Sequence, residues 1–454
     1  RWSMKAPNWK VILAGFLFIS CLFLIHGYRV YELFRDIVAM QTPIGPGGSA
    51  MPGSPTPVPA PFPLLDGLKP RIRLPYTLIN LLPTTYGKDL LSSASFTQKV
   101  QELGNPQEAD AERDSRELLS RVKMHMASIP VIPPNPPIIV FGSNPSRYRE
   151  IRETGKYWVI LARLMAPKNR QDAWNMLTGP FLLAHQLEAR EAGGPSGLSL
   201  IGKMIALALR RMASIACMEI LSEFPLEPVF AREFAARIEL FETQAASLSQ
   251  AIGAEKGILP GIYRELEVTP PSEIVLKYRR PLNGIRRCLE PTRLNPLLEK
   301  FHGRYEKACG LPFAKGQRLC SEVATDLELL SDKWGAPSID LLPYFFRPED
   351  AALEFLFSLS VPNLRKVLEQ EFLLIMQMRG VRIGLAANAF YLEKKEWPKS
   401  LPQLETWWGK PLPQDVFINA PLQFISGSPP QIKSVGPDIL PGTGDDLTIV
   451  PYGL

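Results

Sequence analysis

Apolar residues along this chain recur mostly with a helical period. Asn144-Pro145 has the form of a helix start, and Tyr148 and Ile151 open a run that continues through Trp158, Leu161 and Met165. Residues 172–191 place Trp174, Leu177, Phe181, Leu182 and His185 on a helical repeat. The broadest stripe lies in 199–224, where Leu200, Met204, Leu207, Ala208, Met212, Ile215 and Met218 share a face. A helical pattern continues over 228–252 and returns over 316–334, with Pro260, Pro270, Pro271, Pro281, Pro291 and Pro296 expected to cut the intervening chain into short pieces. Before the carboxyl end only Ile138-Ile139-Val140-Phe141 reads as a strand.

Two stretches depart from this amphipathic pattern. Residues 11–28 hold no charge, and eighteen residues are just enough to cross a bilayer core. Arg1, Lys5 and Lys10 precede the run, while Arg29, Glu32, Arg35 and Asp36 after it are mixed, which predicts a retained anchor with its amino terminus in the cytoplasm. A cleaved signal peptide is the competing reading. The 199–224 stripe is interrupted by Lys203, Arg210, Arg211 and Glu219, so it predicts a buried helix rather than a second crossing.

The carboxyl end changes character. A long helix opens near Pro362-Asn363, runs through Leu373, Met376, Val381, Phe390 and Tyr391, and stops at Lys394-Lys395. Trp397-Pro398-Lys399-Ser400-Leu401 turns the chain, Leu412-Pro413-Gln414-Asp415-Val416-Phe417 follows, and Leu422 to Ile425 with Ile432 to Val435 reads as a β-hairpin around Ser426-Gly427-Ser428. Then come Ser434-Val435-Gly436-Pro437-Asp438 and Gly442-Thr443-Gly444-Asp445-Asp446. Carboxylates and backbone carbonyls folded around such a loop offer the all-oxygen surroundings that Ca²⁺ requires. The alternative is a solvated Asp/Gly turn with no ion.

Composition narrows the classes. The 454 residues allow two or three domains, and the charge of +6, from 51 basic and 45 acidic residues, is scattered, which gives no reason to expect a nucleic-acid partner. Proline, at 45 residues, is about twice its usual ~5%. Ten prolines between Pro43 and Pro75 stand beside several glycines, so residues 29–75 are expected to be a stalk and extended spacer.

With four histidines there is no His-Glu-x-x-His, and neither phosphate-cradling nor dinucleotide fingerprints occur. Gly194-Pro195-Ser196-Gly197 lacks the spacing of a nucleophile elbow. His185 reads as a core histidine with Glu188 one turn on, and the acidic pairs Glu188/Glu191 and Glu369/Glu371 read as solvated helix faces. Cys309 and Cys320 bracket a short Gly/Pro loop that suits a disulfide, with buried free thiols as the alternative. No recognisable cluster marks the chain as an enzyme; glycosidase-type carboxylates, set by the fold rather than by spacing, stay open.

The tail, over 364–449, resembles the globular half of type II secretion major pseudopilins: a helix ending in Tyr391, Trp-Pro-x-Ser-Leu, Leu-Pro-x-Asp-x-Phe, a hairpin, and Ser-Val-Gly-Pro-Asp before a Gly-rich turn. That resemblance implies a Ca²⁺ loop with Asp438 and Asp446 as ligands, and Asp445 and the carbonyl of Ser434 as further ones. Gly15-Phe16 is present, but Ser20 stands where a pilin stem carries glutamate, and some three hundred residues separate anchor and module. The whole layout is similar to uncharacterised bacterial membrane-anchored proteins that end in this module.

The expected architecture is therefore α+β, mostly α: a cytoplasmic stub (1–10), a transmembrane helix (11–28), a stalk and Pro/Gly-rich spacer (29–75), a helical ectodomain (76–361) and a helix-plus-hairpin pseudopilin-like domain (362–454). The expected role is a non-catalytic structural or accessory subunit of a bacterial envelope assembly, single-pass in the inner membrane with its bulk periplasmic. Its expected partners are membrane lipid through residues 11–28 and other envelope proteins. A pseudopilin-like secretion component and an envelope hydrolase are the alternatives.

Overall fold

The computed structural model describes residues 32, 33, 35, 145–193, 198–268, 288, 293–335, 347–361 and 364–449. The apolar run 11–28, the Pro-rich spacer and the strand-like 138–141 lie outside them. No helix among the described residues is long and apolar enough to cross a membrane. The described chain is mostly helical with one small antiparallel sheet. In order it runs α1 (Pro145–Met165), α2 (Arg170–Gly193), α3 (Leu200–Glu223), α4 (Pro228–Thr243), α5 (Leu248–Val268), α6 (Leu294–Leu298), a π-helical turn (Glu299–Gly303), α7 (Arg304–Cys309), α8 (Phe313–Gly335), α9 (Pro348–Ser360), α10 (Arg365–Lys394), α11 (Leu401–Trp408), β1 (Gln423–Ile425), β2 (Gln431–Ser434) and β3 (Leu447–Ile449).

The periodic runs over 172–191, 199–224 and 316–334 became helices with boundaries close to those the pattern predicts. Pro260 lies inside α5 rather than ending it, and Pro296 lies inside α6. The single run expected over 228–252 is two helices, α4 and α5, separated by residues 244–247. Ser199 caps α3 by accepting from the Gly202 amide at 2.9 Å. The Ser199 and Leu200 amides donate to Glu191 and Glu255, each at 3.0 Å, so acidic side chains meet the positive end of α3.

The chain divides into two compact units. In the larger, α1, α2, α3, α4 and α10 pack into a bundle around one extensive core. Trp174 of α2 packs edge-on to Phe234 of α4 at 4.9 Å and donates its indole N–H to the Phe224 carbonyl at 3.2 Å. Helix α10 is buried on two sides. Leu374, Met378, Val381, Leu385 and Ala389 join the bundle core, whereas Met376, Ile383, Ala387 and Phe390 join a second core beneath the sheet. Both sets follow helical spacing, one stripe offset from the other, so a single helix supplies two cores.

On that second core lies the three-stranded sheet, in order β1-β2-β3 and antiparallel throughout. The predicted hairpin is present, with Phe424 opposite Ile432; β3 adds to its far edge, with Ile449 also opposite Ile432. Tyr391 stacks on Trp397 at 4.4 Å. Ser400 caps α11 through the Gln403 amide at 3.3 Å, while the Gln403 side chain accepts from the Lys399 amide at 2.6 Å. Phe313, at the start of α8, packs against Phe372 at 5.0 Å and Phe417 at 4.8 Å.

The smaller unit takes in Lys256–Arg304 and Ser321–Asn363. Here Phe301 and His302 of the π-helical turn pack against Phe357 of α9 at 5.3 and 5.6 Å. Burial, reinforced by the nearby Lys256 ammonium, pushes His302 down from 6.5 to about 4. The unfolded chain therefore takes up a proton that the folded one refuses between those two values. Stability is fully present above pH 6.5 and is lost as pH falls towards 4, by about 3 kcal/mol in all. Denaturant titrations of the full chain across this range are expected to show that loss in wild type and a flatter profile in His302→Leu.

Candidate functional site

The acidic turn between β2 and β3 is the site the sequence singles out, and its frame is set from below by Asp415. That side chain is almost wholly buried and accepts from the Phe417 and Val435 amides, each at 2.9 Å, tying the segment before the sheet to the end of β2. Ser434, fully buried, faces Leu447 in the ladder and accepts from the Gly436 amide through its hydroxyl at 3.4 Å. Gly436 has φ +72°, and a Cβ there would press into the backbone of Asp445. Only glycine meets both demands. Ile439 also has positive φ, at 59°, an unusual conformation for a β-branched residue.

This backbone brings Asp438 and Asp445 together. The Asp438 amide donates to the Asp445 carboxylate at 2.9 Å and the two side chains lie within hydrogen-bonding reach. Slight burial pushes Asp445 up, but the Thr443 hydroxyl and the amides of Asp438 and Asp445 outweigh it and hold the carboxyl below its ordinary range. Asp446 turns to the other flank and accepts from the Gly442 amide at 2.8 Å; the Thr443 hydroxyl lies 2.6 Å from Asp445 and 3.5 Å from Asp446. Three of the four sequence-predicted residues, Asp438, Asp445 and Asp446, thus share one turn, and Ser434 ends the strand that leads into it. Among the described residues, no three His, Cys, Asp or Glu side chains converge as a ready-made metal site.

A second constellation, within the bundle, was hidden from the sequence. Glu188 of α2 accepts two bonds from the Arg210 guanidinium, at 2.7 and 2.5 Å, and lies 3.3 Å from the Lys203 ammonium, all three side chains being almost completely buried. Lys203 also pairs with Glu371 of α10 at 2.9 Å and donates to the Ala246 carbonyl. The Ala246 and Leu248 amides donate to Glu188 and Glu371, each at 3.1 Å. Two positive and two negative side chains thereby join α2, α3, α10 and the α4–α5 link.

Burial opposes ionisation of Glu188, but Arg210 and Lys203 outweigh it and hold the carboxyl down at about 2. Glu188 and Glu371 do not occupy the solvated faces expected of them. Their signal was Lys203 and Arg210, seven residues apart on the apolar stripe of α3, where buried cations require buried acids. His185 is fully buried and near the Phe241 ring at 6.2 Å, in agreement with a core position.

Between α4 and the segment after α11 is a small cleft of about 100 Å³ lined by Arg232, Glu239, Arg382, Trp408 and Lys410. Arg232 lies over the Trp407 and Trp408 rings at 4.9 and 5.4 Å. Comparison with known proteins finds no matching family model, no matching curated protein and no matching solved structure.

Proposed function

We propose that the chain is a membrane-tethered, extracytoplasmic structural or accessory subunit of a bacterial envelope assembly, and that it works by presentation rather than catalysis. The observation that supports this best is the double burial of α10. The helix that carries the pseudopilin-like module is also a wall of the bundle, and Arg379 and Arg382 fasten it to Glu242 of α4 at 2.8 and 3.0 Å. A module so mounted holds its acidic turn in a fixed attitude on a rigid body. The uncharged run 11–28 supplies the tether and the Pro-rich segment the reach. Purification of the tagged full chain in mild detergent is expected to bring down stoichiometric envelope proteins. A solitary monomer under those conditions removes the reading.

The same reading gives the acidic turn a Ca²⁺ ion, held by Asp438, Asp445, Asp446 and the carbonyl of Ser434. The Asp445 carboxyl, held below its ordinary range, is available as an oxygen ligand beside Asp438, and a divalent ion would draw Asp446 in to join them. Ca²⁺ at a hundredfold excess over its Kd is expected to stabilise the full chain by about 2.7 kcal/mol. An Asp438→Ala, Asp446→Ala double variant should lose both the calorimetric heat and the Tm shift. The full chain is required, because an isolated 364–454 fragment would expose the bundle-facing stripe of α10. Identical heats and melting for wild type and variant would sink the ion.

A further inference from the structure

The corner between α7 and α8 brings two thiols together. Gly310 and Leu311 close α7 through their amides, which donate to the Lys307 and Ala308 carbonyls at 3.2 and 3.1 Å. Helix α8 then passes so near that a Cβ at Gly316 would strike the Ala308 carbonyl. Cys309 follows Ala308, and Cys320 lies one turn beyond Gly316 on the same face of α8. The two side chains lie close enough to interact directly, and both are free thiols. Cys320 is wholly buried, whereas Cys309 is partly exposed. The disulfide the sequence suits is thus absent as a bond but assembled as a pair.

We propose that Cys309 and Cys320 are a reversible dithiol–disulfide couple, oxidised by a small-molecule disulfide that reaches Cys309, and that closing it fastens the α7–α8 corner. Their interaction favours one negative charge across the pair: it holds Cys309 up, with burial adding to this, and brings Cys320 down. The charge is usable at the exposed sulfur once the shared proton passes to Cys320. Cys309 then attacks one sulfur of R–S–S–R and expels R–S⁻, leaving a mixed disulfide. Cys320 gives its proton to that thiolate and attacks the Cys309 sulfur, and the second R–S⁻ departs. Two protein sulfurs are oxidised and one external disulfide is reduced. The corner carries Phe313 into the core beneath the sheet, so the closed form constrains how that core opens.

The test is incubation of the full chain with glutathione disulfide under native conditions, followed by thiol blocking and peptide mass spectrometry. Wild type should lose two thiols, yield a Cys309–Cys320 linked peptide within one chain, melt at higher temperature and return to the starting state with dithiothreitol. Cys320→Ser should stop at a glutathione adduct on Cys309, while Cys309→Ser should take up none at Cys320. Thiols that persist in wild type, equal adducts in the two variants, or linkage only between chains would each overturn the proposal.

Discussion

Glu188→Gln is expected to lower the stability of the larger unit by about 3–5 kcal/mol, because it leaves a charge buried without its partner. Lys203 retains Glu371 at 2.9 Å, but Arg210 has both of its bonds at 2.7 and 2.5 Å on Glu188, and among the described residues its Nε has no partner. A neutral amide of the same size can accept from only one side, and its own NH₂ would point at the guanidinium. Urea unfolding of the full chain at neutral pH measures the loss.

Acid supplies an independent check on the same carboxylate. With Glu188 held at about 2 in the fold against an ordinary 4.5, its contribution is present above pH 4.5 and disappears as pH falls towards 2. The variant should lack that dependence. Replacing all four members together, as Glu188→Leu, Lys203→Met, Arg210→Met and Glu371→Met, should recover much of the lost stability, since apolar residues of similar volume carry no desolvation cost and no charge is left without its partner. A Glu188→Gln protein within about 1 kcal/mol of wild type would mean that the network does not hold the bundle.

The contrast between α3 and α10 explains how much of this molecule was legible. In α3 a wide apolar stripe marked the helix and nearly its bounds, and the structure adds Ser199 as its cap. The charges on the stripe ruled out a second membrane crossing, yet their partners come from α2 and α10, 15 and 168 residues away for Lys203, and no local period reports such a pairing. In α10 the helix itself was legible, to its last residue. Its second apolar stripe was visible only as a loss of amphipathicity, which does not say that two cores are being served. β3 has three residues and no alternation long enough to register.

The acidic turn was found because its carboxylates are close in sequence, and the pattern placed it directly after the predicted hairpin. Whether they face one another depends on backbone signs at Gly436, Ile439 and Gly442, of which only the glycines advertise themselves in the sequence. Cys309 and Cys320 were similarly paired by spacing, while the close passage of α8 over Ala308 that brings them together is a property of packing.

Gly179→Ala, a change that usually stabilises a helix interior, is expected to cost about 3 kcal/mol. Gly179 lies in the middle of α2, directly before Pro180, and the missing side chain is replaced by the Trp158 ring of α1: a methyl at Gly179 would fall within the indole. Trp158 is almost completely buried and held among other core residues, so it has no free direction in which to retreat. The gain of about 1 kcal/mol from helix propensity is smaller than the strain of overpacking.

Trp158→Leu alone should also destabilise, by about 3 kcal/mol or more, through the space it empties. The two changes combined should cost clearly less than their sum, because the added methyl occupies part of the vacated volume. Thermal or urea unfolding of the four proteins gives the cycle directly. Additive effects would show that α1 and α2 do not meet through this ring and glycine.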